Sequence, residues 1–453
     1  MNLLNRTAAA WKNDNLLRRV VRNSSLLFSS STLGILLSIL TSVFSSRALG
    51  VELFGILAAI TTFAAVADKL LSFRIGELVV KYTGAALAKG EIEKGAAVFK
   101  VAALTEMAVS FLSYGLIVLF APLAASYFAK DASLAHWFIL YGLIVPFGLT
   151  YESSTALLQV GGKYKFQAGL NLIQNLSTAG LVLYAFISKQ NAFPIIVSAY
   201  LAGKAVSGFG YLLYSFREAE SMFGPGWFKA RLSLLPPARE FWGFAFSSNF
   251  SGTMNLLVRD SDVLWVNALL DPIHGGYYKL AVSLIGFMLI PVDPFIKTSF
   301  PEITRTVAEK TWGRLRLLLR RLTMISGAIT LLFGIGFALI GEWAITVVYG
   351  AEFAPAWRPA MLLFLGYGFA NTFFWNRPLS LALGEPYYPL IVTFLVGAAK
   401  IGLSALLLAR YGIALQASLM SAYFVTSITL ILVRAFSVIH QMEKQQQADT
   451  IQA

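Results

Sequence analysis

Predominantly apolar stretches follow one another from residue 25 to residue 434, separated by short polar connectors. Each is about as long as the roughly 20 residues a helix needs to cross a bilayer. In lipid every backbone N–H and C=O must be satisfied internally, so spanning segments of this length are helices. The fold class expected is therefore an all-α polytopic membrane protein. Composition agrees: 57% of the 453 residues are apolar and only 13% are charged, against about 25% charged in an ordinary soluble domain. A soluble fold is excluded. The chain holds no cysteine, which excludes disulfides, thiolate nucleophiles and cysteine metal sites.

The pattern predicts helices near 25–47, 53–80, 97–120, 134–160, 167–188 and 192–216, then near 240–270, 276–300, 323–345, 358–382, 388–409 and 412–434. That is about twelve spans. Connectors on the N-terminal side of the membrane carry 23 Lys and Arg, and those on the other side carry five: Arg47, Lys130, Lys189, Arg358 and Arg410. Cytoplasmic loops are the basic ones, so both termini are expected in the cytoplasm. The basic stretch 1–22 reads as a cytoplasmic leader on an uncleaved first helix, because the apolar run behind it is too long for a signal peptide. The tail, 435–453, reads as cytoplasmic too. No GxxxxGK[ST] phosphate loop occurs, and the connectors leave no room for a nucleotide-hydrolysing domain. Any transport is expected to run on an ion gradient or on the gradient of the substrate.

Weak self-similarity recurs at one spacing. Phe28-Ser29-Ser30 through Gly34 matches Phe246-Ser247-Ser248 through Gly252, and Ala48-Leu49 with Gly55 matches Ala268-Leu269 with Gly275. Leu158, Gly161 and Tyr164 match Leu381, Gly384 and Tyr387. The offsets drift only from 218 to 223. This implies a parallel repeat: a six-helix lobe over 23–216, a cytoplasmic linker over 217–239 and a second six-helix lobe over 240–434. Two such lobes around a central cavity are a transporter architecture.

Charges inside the spans are the candidate functional groups, since each costs about 2.5–3.5 kcal/mol near a helix centre on insertion scales. Lys69, Lys204, Arg259 and Lys400 lie well inside their spans and are candidate functional cations. Asp68, Glu152, Asp260, Asp262 and Asp293 are candidate coupling or ion-pair acids. Arg259 and Asp262 lie three apart and can bridge on an α-helix; Asp293 and Lys297, four apart, form a second expected pair. Arg is a bidentate partner for phosphate oxygens, and a buried carboxylate is a candidate proton or cation site. Asn171, Gln174, Asn175 and Thr178 share one helical face, which suits either a hydrated cavity lining or interhelical hydrogen bonding. The three histidines, His136, His274 and His440, do not converge. Neither a cofactor nor a metal is expected, and the excess of Lys and Arg points to anionic lipid rather than to nucleic acid.

The run Arg47-Ala-Leu49-Gly50-Val-Glu52-Leu-Phe54-Gly55 resembles the end of the first helix in polysaccharide-exporter flippases of the multidrug/oligosaccharidyl-lipid/polysaccharide exporter superfamily. Asp262 with Gly276-Tyr277-Tyr278, Pro301 with Arg305, and Tyr349-Gly350 with Phe353 resemble later blocks of that family. The resemblance covers about 23–434 and implies alternating access in a bacterial cytoplasmic (inner) membrane. It also implies a polyprenyl-diphosphate-linked oligosaccharide as cargo, for O-antigen (lipopolysaccharide), capsule or exopolysaccharide assembly. Membrane lipids are expected partners, with polysaccharide polymerase or export proteins as candidate neighbours. An ion-coupled multidrug exporter of the same superfamily is the alternative. A membrane glycosyltransferase or polymerase is a weaker one, because no substantial outer loop exists to carry its acids or bases; the chain is not expected to be an enzyme.

Overall fold

The structure is a computed structural model that describes residues 15–71, 75–237, 241, 255–289 and 292–452; side chains are described from residue 32 onward except at 72–74, 238–240, 242–254, 288–291, 293–298 and 449–453. Every described element is helical, with no strand among the described residues. Seven helical stretches among them are long and apolar enough to cross a membrane.

Helix α1 (Asn15–Leu71) covers the first predicted span and most of the second and is interrupted at Gly50, whose φ of 71° suits a residue without a Cβ. Helical backbone resumes at Ile75–Leu78, winds as a π-helix over Val79–Thr83 and continues through Gly84–Ala88. Then come α2 (Ile92–Ala124), α3 (Ala135–Gly142), α4 (Tyr151–Val160), α5 (Tyr164–Ser188) and α6 (Ala192–Phe223). Further along the chain lie α7 (Asp262–Leu269), α8 (Pro272–Leu289), α9 (Asp293–Ala308) and α10 (Trp312–Tyr349). The chain ends with α11 (Trp357–Thr372), α12 (Asn376–Ala382) and α13 (Tyr387–Gln452), the last interrupted at Gly412.

The chain forms two compact units. One comprises Met1–Leu49, Ala64–Ala124 and Ser133–Gly252; the other comprises Gly50–Phe63, Ala125–Ala132 and Thr253–Ala453. The first is built on Ile75, Leu78, Val98, Phe99, Leu157 and Phe241. The second has a cluster of Trp312, Leu315, Leu319, Trp375, Leu379 and Ile439.

Two predicted spans are broken in the middle. The stretch 134–160 divides into α3 and α4 around a 3-10 turn opened by Pro146, whose ring cannot continue a helix without losing a backbone bond. The stretch 358–382 divides into α11 and α12 around Phe373–Trp375. Each broken span is followed by a left-handed glycine, Gly162 at φ 68° and Gly384 at φ 79°. Each connector is then tied back to a later helix: Lys163 Nζ lies 3.3 Å from Glu218 Oε2, and Arg434 donates to Glu385 Oε1 at 2.5 Å. The Phe246–Gly252 part of the sequence repeat lies outside the described residues.

In the second unit the 50–63 segment of α1 meets α8 at very short range. A Cβ on Gly55 would fall 1.7 Å from the Pro272 carbonyl oxygen, and one on Gly276 would fall 2.4 Å from that of Val51. Asn267 Nδ2 donates to the Gly55 carbonyl at 3.3 Å, and Phe54 meets Phe353 edge-on at 5.8 Å. At the start of α8, Asp271 accepts from the His274 backbone N–H at 2.9 Å, with Pro272 at the first helical position.

Candidate functional site: charged groups within the helices

Breaking a helix inside a membrane exposes backbone donors that water cannot reach. In the first unit the N-terminus of α4 solves this with a carboxylate from another helix. Glu106 of α2 accepts from the Glu152 N–H at 2.7 Å, the Ser153 N–H at 2.9 Å and the Ser153 hydroxyl at 2.6 Å. Thr150, Ser154 and Ser215 extend the network through hydroxyl contacts of 2.9 and 2.8 Å.

Lys204 of α6 reaches the same break. Its Nζ lies 4.2 Å from the centroid of the Tyr151 ring, a cation–π contact. Gly148 in the break makes room for it, since a Cβ there would fall 2.9 Å from Lys204 Cε. Asp68, Glu106 and Glu152 act on Lys204 electrostatically, but Lys204 closes no ion pair among the described residues. Asp68 and Glu152 are half-buried, and Glu152 also accepts from the Gly76 N–H at 3.5 Å. Lys69, in the last turn of α1, is exposed.

The α5 stripe divides between two uses. Asn171 Oδ1 accepts from Tyr211 at 2.9 Å, and Thr178, buried, donates to Gln174 O at 3.0 Å and to Ala199 O at 3.4 Å, so both bind α5 to α6. Gln174 and Asn175 are half-buried, and Asn175 packs on Gly34.

In the second unit Asp262 and Lys400 pair with each other. Both are nearly inaccessible, at 1% and 3% exposure. Lys400 donates to Asp262 Oδ1 and, at 2.8 Å, to the Val258 carbonyl; Tyr278 donates to Asp262 Oδ2 at 2.8 Å. Gly397, one turn before Lys400, lets α13 approach Val258 closely. Lys400 is thus one half of a sealed ion pair rather than a cation open to a ligand.

The expected Arg259–Asp262 bridge is not formed. The residues do not share an α-helix: Leu256–Asp260 is wound as a π-helix and Ser261 makes a turn before α7 begins. The three-residue spacing therefore no longer brings the two side chains to one face. Arg259 instead lies over two rings, with its guanidinium carbon 5.7 Å from the Tyr367 centroid and 5.3 Å from that of Phe424. It closes no ion pair among the described residues, and its Nε, buried, has no hydrogen-bond partner there. Asp260 is exposed. The side chains of Asp293 and Lys297, and hence their expected pair, lie outside the described residues.

The sequence pattern singled out neither Glu106 nor the rings that hold Lys204 and Arg259. An acid in the middle of the 97–120 run, read together with Pro146 inside another span, was the available signal for Glu106. The aromatic partners lie 53 to 165 residues from their cations in sequence, and no spacing rule reaches that far.

A family profile described as "Polysaccharide biosynthesis protein" matches residues 20–307. Inner membrane protein YghQ of Escherichia coli (strain K12) is 24% identical over 353 residues, which is 77% of this chain and 97% of that protein. Among solved structures, an inward-facing multidrug resistance MATE family transporter of the MOP superfamily aligns with a TM-score of 0.64 at 12% identity, over 93% of this chain and 99% of the other. The lipid II flippase MurJ in an inward closed conformation aligns with a TM-score of 0.62 at 15% identity, over 92% and 89%.

Proposed function

The chain belongs to the polysaccharide biosynthesis protein family and has the fold of MOP-superfamily transporters, and from that premise we propose that it is a flippase for polyprenyl-diphosphate-linked oligosaccharide. It is a multi-pass membrane protein. Its basic connectors support cytoplasmic termini, and cargo taken up from the cytoplasmic leaflet is released on the opposite side by alternating access. The product serves surface polysaccharide assembly of the O-antigen, capsule or exopolysaccharide kind. The polysaccharide polymerase or export proteins that would follow are partners of the same reading.

Arg259 is the observation that carries this reading. Tyr367 hydrogen-bonds the guanidinium and Asp260 acts on it electrostatically, but no carboxylate among the described residues closes its fork, so it keeps its charge and further donors for an incoming anion. Its fork matches the oxygens of a diphosphate. Lys204 is a second cation held by a ring, but Asp68, Glu106 and Glu152 offset its charge. We therefore assign the diphosphate to Arg259 first, and the Asp68–Glu152–Lys204 group to coupling. Export of organic cations would need carboxylates free of basic partners; Glu106 and Asp262 are closed by hydrogen bonds, Lys204 faces Asp68 and Glu152, and Arg259 faces Asp260.

The test is leaflet-selective labelling of polyprenyl-diphosphate saccharides in cells carrying wild type, Arg259→Ala or Arg259→Lys. The complete lipid-linked unit is expected to accumulate in the inner leaflet with Arg259→Ala and, less strongly, with Arg259→Lys. An unchanged distribution in Arg259→Ala would overturn the assignment. An unchanged pool in a strain lacking the protein would overturn the flippase reading itself.

A further inference from the structure

A groove of about 700 Å³ runs between α2 and α6 in the first unit, and none of the charged residues at the broken helix lines it. Its walls are Leu104 and Met107 of α2 and Leu213 and Phe216 of α6, closed by Trp227 and Phe228. Leu104, Leu213 and Phe228 are more than half exposed, so the apolar surface is open along its length. One end is charged, lined by Lys100, Arg217 and Glu220.

The closing element is fixed by the chain rather than draped over it. After α6 the backbone turns through Gly224 (φ 88°) and Gly226 (φ 80°), a path open to glycine at both places. The turn sets Trp227 against Phe99 at 5.2 Å and Phe216 at 5.5 Å. Lys100 Nζ donates to the Ala230 carbonyl at 3.2 Å, which orients the ammonium and leaves two of its three N–H groups unused by that bond.

We propose that this groove binds one anionic glycerophospholipid of the cytoplasmic leaflet, with the headgroup phosphate on Lys100 and Arg217 and an acyl chain along Leu104, Met107 and Leu213. The arrangement matches an amphiphile. A soluble anion would leave the apolar walls uncovered, and a peptide strand would find few backbone partners on them. Two basic side chains against one acid leave the charged end one positive, which favours an anionic head over a zwitterionic one. The Trp227–Phe228 pair sits at that end, as interfacial aromatic residues do. The groove lies where the basic connectors put the cytoplasmic surface. The lipid is a fixed component of the first unit, separate from the transported cargo.

The full-length protein, purified and exchanged into nanodiscs of phosphatidylcholine with a minor share of phosphatidylglycerol, tests this by native mass spectrometry after release into detergent. Wild type is expected to retain one phosphatidylglycerol in preference to phosphatidylcholine. Each basic residue removed is expected to weaken retention about fivefold, so Lys100→Ala with Arg217→Ala loses it. Arg410→Ala, outside the groove, leaves it unchanged. Glu220→Gln moves the other way and strengthens retention, which keeps the test open if the double variant fails to fold. Equal retention of the two lipids, or retention unmoved in the double variant or in Glu220→Gln, would overturn the proposal. Displacement of the phosphatidylglycerol by added polyprenyl diphosphate would also overturn it, by making the groove part of the cargo path.

Discussion

Lys400 and Asp262 form the sharpest energetic test of the structure, because each is compensated almost wholly by the other. Lys400→Met removes the cation from a carboxylate that is 1% exposed and leaves the Val258 carbonyl without that donor. Removing one partner of a buried pair costs about 3–5 kcal/mol. Asp262→Leu strands the ammonium and the Tyr278 hydroxyl in the same surroundings, with a cost in the same range. The double variant leaves no charge at positions 262 and 400. It loses only the hydrogen bonds of Tyr278 and Val258, each about 1–3 kcal/mol if left unsatisfied. The double variant is therefore expected to be less destabilised than the sum of the singles by about 2–3 kcal/mol, the upper range for contacting residues. Unfolding of the purified full-length protein in mixed micelles of rising SDS fraction, followed by tryptophan fluorescence, gives the three free-energy differences. Additivity within about 0.5 kcal/mol would refute the claim that these two charges sustain each other.

Three further perturbations follow from the packing. Gly55→Ala places a methyl group 1.7 Å from the Pro272 carbonyl oxygen; backbone must move on both sides, and a loss of about 1–3 kcal/mol or more is expected in the same SDS titration. Glu106→Ala strips the acceptor from two α4 N–H groups and the Ser153 hydroxyl, at a cost of at least about 2 kcal/mol. Glu106→Gln keeps one oxygen and is expected to lose less; equal losses would argue against the capping role. At Asp271, outside the membrane-spanning segments, burial pushes the carboxyl up, but hydrogen bonds from the backbone and ring of His274 outweigh it and hold the group below the usual carboxylate range. A depressed folded value means stability present above about pH 4 and lost as pH falls through the folded value. The side chain is half exposed, so the effect is small. His274→Ala should make the acid loss of thermal stability shallower without abolishing it, since the backbone bond remains; an unchanged profile would refute the assignment.

Much of the fold was legible because the membrane makes backbone satisfaction local. The 167–188 and 192–216 runs appear as α5 and α6 with nearly the expected starts, and Pro146 marked a span that does break. The blocks resembling the exporter family are explained by packing: Gly50 makes a turn, Gly55 and Gly276 allow a close crossing, and Phe353 seats against Phe54. The sequence also nominated Asp262, Lys400, Lys204 and Arg259. It could not say which charges neutralise one another. Asp262 has Arg259 three residues away and Lys400 138 residues away, and helical spacing favours the near one. The π-winding at Leu256–Asp260 reverses that choice, and no local pattern in Leu-Leu-Val-Arg-Asp announces a π turn.

The connectors that close the two broken spans carry opposite polarity. Lys163 meets Glu218 in the first unit, while Glu385 meets Arg434 in the second. A chain whose halves resemble each other can join the wrong partners as it emerges from the ribosome and inserts. Here an exchanged connector would bring Lys163 to Arg434 and Glu385 to Glu218, like charge against like charge. Swapped pairings are penalised twice, and the native ones gain twice. The reversed signs thus disfavour an exchanged pairing during insertion, through one pair anchored on the buried Glu218 and another between half-exposed side chains.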